Sequence, residues 1–255
     1  MFAVESSALA LLFSLLAGAA TTIGALIALA AKRTSYRALS FGTGFSAGVM
    51  VYISFAELLS SATSSVGFAA ANLFFFAGFL AMAILDFTIP HIYEEEKTAG
   101  VRAKASKLDK AGTLVFLGVF LHNFPEGLVA FFGTLKDAHL GFLLLLAVAI
   151  HNIPEGVAVY MPTYYATGDK KRAFLLSVLS GLAEPLGALL SFVLLYQFIT
   201  PALIGAMLAC VAGLMVFISF DELLPMSFEH GEEHTAIVGI SLGMLLMAIS
   251  LVVLK

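Results

Sequence analysis

Long apolar runs separated by short clusters of charge make up almost the whole chain. Eight runs can be drawn, roughly 6–31, 37–62, 68–90, 112–135, 139–164, 173–198, 201–226 and 235–254. One bilayer crossing takes about 20 apolar residues, so each run predicts a membrane-spanning helix. The expected fold is all-α and polytopic, with eight transmembrane helices. The connections leave no room for a separate soluble domain, so residues 1–255 read as a single transmembrane domain with 92–111 as a cytoplasmic loop. The first run reads as a retained span rather than a signal peptide: it lacks a basic leading segment, is too long, and is followed by Lys32 and Arg33.

Composition sharpens this picture. The chain is 60% hydrophobic and only 12% charged, with a mean hydropathy of +1.01. Soluble domains carry about 25% charged residues, which argues against a soluble enzyme, a disordered tail or a nucleic-acid-binding protein. The single Cys210 excludes a disulfide framework and any Cys-based zinc site within one chain. No GxxxxGK[ST] motif is present, so no P-loop binds ATP.

The placement of charge sets the topology. Of 13 basic residues, 11 fall in three connections: Lys32, Arg33 and Arg37; Lys97, Arg102, Lys104, Lys107 and Lys110; and Lys170, Lys171 and Arg172. Only Lys136 and Lys255 fall elsewhere. Cytoplasmic connections collect Lys and Arg, which predicts both termini outside the cytoplasm of a multi-pass protein in the plasma (inner) membrane. The 92–111 stretch mixes Glu94, Glu95, Glu96 and Asp109 with its basic residues, as a solvated loop does.

The runs repeat. GVMVYISFAELL (48–59) matches GLMVFISFDELL (213–224) at nine of twelve positions, an offset of 165. That offset also carries Gly78, Met82, Ala83 and Ile84 onto Gly243, Met247, Ala248 and Ile249. An offset of 163 carries Gly18 and Gly24 of run 1 onto Gly181 and Gly187 of run 6. Runs 1–3 are thus a copy of runs 6–8. Five runs separate corresponding elements, an odd number, so the copies are inverted. Inverted repeats characterise secondary transporters, whose substrate sites lie near the midplane. Runs 4 and 5 repeat each other: His122-Asn123-Phe124-Pro125-Glu126-Gly127 recurs as His151-Asn152-Ile153-Pro154-Glu155-Gly156.

These repeated polar residues fall mid-run. An ionised side chain at the bilayer centre costs roughly 2.5–3.5 kcal/mol, so Glu126, Glu155 and Glu184 together would cost about 8–10 kcal/mol uncompensated. Runs 4, 5 and 6 hold no Lys or Arg within their apolar stretches. Compensation must come from water, protons or a bound cation. At about 100° per residue, Glu126 falls angularly between His122 and Asn123, and Glu155 between His151 and Asn152. A two-fold axis in the membrane plane relates antiparallel neighbours and puts both histidines on one side and both asparagines on the other. The result is two adjoining cation positions, His₂Glu₂ and Asn₂Glu₂, sharing Glu126 and Glu155. First-row divalent metals suit such ligands. Pro125 and Pro154 each remove a helical hydrogen bond and should kink their helices. Glu184-Pro185 on run 6 adds a third carboxylate, and its repeat partner on run 1 is Thr21.

Other polar residues leave two readings open. Glu57, Asp86, His91, Asp221 and Glu222 stand near run ends, as cation relays at the mouths or as interfacial groups reaching water. His230 and His234, with Glu229, Glu232 and Glu233, form either a metal relay or a plain solvated loop.

The paired H-N-x-P-E-G motifs, G-L-A-E on run 6 and S-F-x-E-L-L on runs 2 and 7 resemble the ZIP (Zrt/Irt-like) metal transporter family, most closely its bacterial ZupT branch. The resemblance covers nearly the whole chain. It implies a 3+2+3 eight-helix fold, often a homodimer, carrying divalent metals into the cytoplasm through a binuclear centre. His122, Glu126, His151 and Glu155 match its first metal site; Asn123, Asn152, Glu126, Glu155 and Glu184 match the second. It also implies sliding of runs 1, 4, 5 and 6 against runs 2, 3, 7 and 8. Many relatives carry a His-rich loop between runs 3 and 4, and residues 92–111 hold no His.

The reading is therefore a divalent-metal uptake transporter and not an enzyme. No cofactor is expected. Zn²⁺, Fe²⁺, Mn²⁺, Co²⁺ or Cd²⁺ is bound as cargo, and the lipid bilayer is the other partner. The alternative is an intramembrane dinuclear metal hydrolase, but a zinc-protease form would need HExxH, and Asn123 and Asn152 stand where its Glu belongs. A proton-coupled carrier of organic molecules would need more room than this compact ligand cluster leaves.

Overall fold

In the computed structural model, residues 4–30, 36–87, 116, 119–120, 123–228 and 233–254 are described. Every regular element among them is helical. α1 is Val4–Ala30. α2 runs continuously over 36–66, as Tyr36–Ile53, a π-helical Ser54–Leu59 and Ser60–Val66. α3 is Phe68–Phe87, α4 is described over 123–136, and α5 is Ala138–Thr167. α6 comprises Lys170–Gly181 and Ala183–Leu195, interrupted at Leu182. α7 joins Pro201–Ile218, a π-helical Ser219–Leu223 and Leu224–Phe228; α8 is Glu233–Leu254. Among the described residues, seven helices, all but α4, are long and apolar enough to cross a membrane. The chain is an all-helical, multi-pass membrane protein.

Local chemistry sets the boundaries. Asp137, the single residue between α4 and α5, accepts a hydrogen bond from Leu140 N (2.9 Å) and caps α5. Asp169 accepts from Lys171 N (2.9 Å) and Arg172 N (3.0 Å). That cap moves Lys170, Lys171 and Arg172 out of the expected connection and into the first turn of α6. Gly67 (φ 82°) and Gly168 (φ 69°) adopt the left-handed backbone that side chains resist, and each turns the chain between two helices. Helical structure continues through Pro154 in α5. The interruption at Leu182 precedes Pro185, whose missing N–H cannot bond Gly181 O.

The sequence repeat is also a packing repeat. α2 packs on α8, and α3 on α7. Gly48 lies against the carbonyl of Ile240, Gly243 against Phe45, Gly78 against Cys210 and Gly213 against Phe75; a methyl group at any of them would collide with that oxygen. The 165-residue offset relates Gly48 to Gly213 and Phe75 to Ile240, and likewise Gly78 to Gly243 and Phe45 to Cys210. It relates the two π-helical turns as well, Ser54 to Ser219.

The centre follows the 163-residue offset. α1 packs on α5 and on both halves of α6. Gly18 and Gly181 each lie against the other's carbonyl, as a two-fold axis passing between them requires. Gly24 meets Ile153 as Gly187 meets Phe124; Gly156 meets Thr21 as Gly127 meets Glu184. α5 beside α1 is thus the counterpart of α4 beside α6. α3 and α8 bury the least of their surface and display Leu73, Phe76, Ile84, Ile237, Leu245 and Val252, a face suited to lipid rather than water.

Candidate metal centre

Three helices bring the carboxylates together. Glu126 of α4 and Glu184 of α6 are 0% exposed, and Glu155 of α5 is 2% exposed. His151, Asn123 and Asn152 are also 0% exposed. His122 lies outside the described residues. Ligand atoms of Glu126, His151 and Glu155 lie within 4.8 Å of one another, close enough for one ion to touch all three.

The histidine side is oriented from both ends. His151 Nδ1 lies 3.0 Å from the carbonyl of Ala147, which can only accept, so Nδ1 carries a proton. Nε2 then faces the site, 2.7 Å from Glu126 Oε1, with one proton shared between them. A cation binding both atoms would displace that proton. Ser46 of α2 donates to the backbone carbonyl of His151 (3.1 Å), and Gly42 lies against Pro154. α2 therefore borders the polar turn of α5.

The asparagine side is oriented through the repeat. Asn152 Nδ2 donates to Ala17 O (3.0 Å), and Asn123 Nδ2 donates to Ser180 O (3.2 Å). Ala17 and Ser180 are 163 residues apart, so these are two copies of one bond. With both amide nitrogens turned to backbone, both amide oxygens remain buried with no hydrogen-bond partner among the described residues. Asn152 Nδ2 also donates to Glu184 Oε1, which brings the third carboxylate to this side. A buried acceptor without a donor is costly, and a hard cation is the partner it lacks. Sequence reasoning missed Ala17, Ser180 and Ser46; the first two act through backbone carbonyls, which no residue type announces.

The residues near the helix ends divide. Glu57 and Asp86 are buried, at 8% and 5% exposure, so they are not plain interfacial groups reaching water. Asp221 is exposed and Glu222 half-buried. His234 is exposed in the first turn of α8. His91 and His230 lie outside the described residues. Lys136, just past the fourth apolar run, donates to Ser61 O (2.6 Å), Ser61 Oγ (2.6 Å) and Ser65 Oγ (2.8 Å) on α2. Burial pulls the Lys136 ammonium below the usual lysine range, and the Glu57 carboxylate opposes that shift.

Comparison with known proteins agrees with this arrangement. Residues 90–251 match the family described as ZIP zinc transporter. A zinc transporter ZupT of Chlorobium luteolum is 48% identical over 96% of this chain and 97% of its own length. Proteins of the same name from Nitratidesulfovibrio vulgaris and Streptococcus mutans are each 46% identical, over 93% and 95% of this chain and 94% and 96% of theirs. With repeats, buried carboxylates and relatives along nearly its full length in accord, the chain belongs to the ZIP family of metal transporters, and it is a transporter of divalent metal rather than an enzyme.

Proposed function

We propose that this chain moves divalent cations, Zn²⁺ foremost, into the cytoplasm by way of two adjoining positions among α4, α5 and α6. The observation that carries the reading is the convergence of Glu126, His151 and Glu155 in the buried centre of apolar helices. His122 completes the histidine side; Asn123, Asn152 and Glu184 hold the other, and Glu126 and Glu155 serve both. Three carboxylates offset most of the charge of two divalent ions. The relatives are named zinc transporters; Fe²⁺, Mn²⁺, Co²⁺ and Cd²⁺ suit the same mixed nitrogen and oxygen donors. Eight crossings, both termini outside and residence in the plasma (inner) membrane complete the proposal. Its support is the distribution of Lys and Arg and the apolar length preceding residue 123.

The test is Zn²⁺ uptake into proteoliposomes. Glu126→Ala and Glu155→Ala are each expected to abolish uptake with protein present at normal levels. Uptake at the unsubstituted rate in either variant would defeat the shared-carboxylate site.

A further inference from the structure

Thr21 of α1 occupies the place on its helix that Glu184 occupies on α6. The backbone symmetry is close: Gly156 lies against the carbonyl of Thr21 just as Gly127 lies against that of Glu184. Thr21 is 0% exposed, and its hydroxyl has no hydrogen-bond partner among the described residues. A threonine in a helix ordinarily bonds back to the carbonyl four residues earlier. Thr63, Thr134, Thr163, Ser177, Ser191 and Ser219 of this chain all do so. For Thr21 that carbonyl belongs to Ala17, and it accepts from Asn152 instead.

The side chain is turned toward α6. A methyl group on Gly181 would stand 3.0 Å from Thr21 Cβ and 3.2 Å from Thr21 Oγ1. Gly181 ends the first half of α6, next to Ser180, whose carbonyl accepts from Asn123, and Glu184 lies three residues on, in the first turn of the second half. The hydroxyl is therefore held, buried and uncommitted, beside the groups that form the asparagine side.

We infer that Thr21 supplies the α1 ligand of the asparagine-side ion, its neutral hydroxyl oxygen coordinating the cation also held by Asn123, Asn152 and Glu184. The inference rests on the two-ion reading above. A neutral ligand here has a consequence for transport. Three carboxylates leave a residual positive charge against two divalent ions, whereas a fourth carboxylate at position 21 would neutralise both and hold them.

Calorimetric Zn²⁺ titration of purified full-length protein tests this, with parallel uptake measurements. The unsubstituted protein should bind two ions. Thr21→Val, close in shape but lacking the hydroxyl, should weaken one of them by about three- to tenfold, the range of one net hydrogen-bond-sized interaction. Thr21→Ser should retain the affinity. Thr21→Glu should tighten binding and slow uptake. Ser14, buried on the same face with an uncommitted hydroxyl, lies about 10 Å further along the helix, so Ser14→Ala should change neither affinity. The inference is overturned if Thr21→Val leaves both affinities unchanged, if Thr21→Ser loses as much as Thr21→Val, or if Ser14→Ala reproduces the loss. If Thr21→Val does not fold, Thr21→Ser with lost affinity or Thr21→Glu with unchanged affinity still overturns it. Absence of any Zn²⁺ binding by the unsubstituted protein would instead sink the two-ion reading itself.

Discussion

Gly48 against Ile240 and Gly213 against Phe75 are two copies of one contact, and their neighbours Val49, Met50, Val211 and Ala212 belong to one apolar cluster. Gly156 against Thr21 and Gly127 against Glu184 are also two copies of one contact, but here one copy carries a hydroxyl and the other a carboxylate. The flanking helices use the repeat to build the same packing twice. The central helices keep the glycine contacts but differ in chemistry at positions 21 and 184 and in the interruption of α6 at Leu182. A backbone frame repeated to within a glycine contact lets single substitutions change chemistry without disturbing the fold.

The largest expected effect comes from restoring symmetry in the wrong direction. Glu184→Thr would give α6 the hydroxyl that α1 already has and leave the asparagine side without its own carboxylate. Changes to groups that merely orient metal ligands cost 10–100-fold, so loss of this carboxylate should lower Zn²⁺ uptake by at least about a hundredfold. Protein level and helical circular dichroism should be unchanged. Near-normal uptake would mean that α6 contributes packing alone.

Next comes the frame itself. Gly48→Ala and Gly213→Ala each drive a methyl group into a backbone carbonyl that cannot swing aside. Each should destabilise by about 1–3 kcal/mol, the usual cost of overpacking, and the two costs should agree because the contacts do. Thermal unfolding in detergent measures both. A loss at one position and none at the other would show that the two flanks are not equivalent. Gly127→Ala and Gly156→Ala should destabilise similarly and also impair uptake, since each glycine follows a Glu of the proposed metal centre.

How much of this was legible beforehand differs between the same two regions. The flanks were readable because the 48–59 and 213–224 segments share nine of twelve residues; the glycine contacts follow from that match. The π-helical turns were not readable: Ser54–Leu59 and Ser219–Leu223 carry no hydrophobic period that separates them from α-helix. In the centre, the two HNxPEG motifs and Glu184 pointed to the proposed ligand set, because buried carboxylates in apolar runs are too costly to be incidental. Their orientation was hidden, since it depends on backbone carbonyls of Ala17, Ala147 and Ser180, and every residue type has one.

Within the centre, the two sides differ in donor type, and selectivity should follow. In the proposed centre His151 offers an imidazole nitrogen, while Asn152 and Asn123 offer oxygen. Oxygen donors suit Mn²⁺ comparatively well, and nitrogen favours Zn²⁺. His151→Asn is therefore expected to lower the Zn²⁺-to-Mn²⁺ uptake ratio several-fold, read from competition assays on matched proteoliposomes. An unchanged or increased ratio would mean that this imidazole never touches the transported ion.

The smallest effect is expected where the two regions are joined. Lys136 ends α4, a central helix, and its ammonium donates to Ser61 and Ser65 on α2, a flanking one. The lysine is part-buried on a flexible stem, and water can replace most of what it would lose. Lys136→Met keeps the apolar stem and removes the donors. It should cost about 1 kcal/mol, the size of a single net hydrogen bond rather than three, and change uptake by less than about threefold. A double-mutant cycle with Ser65→Ala separates the contact from the charge: coupling of a few tenths of a kcal/mol would describe a static brace. If Lys136→Met instead lowered uptake as far as Glu184→Thr does, with stability intact, the contact would be a moving part. The comparison between a fixed flank and a chemical centre would then have to be redrawn around the junction of α4 with α2.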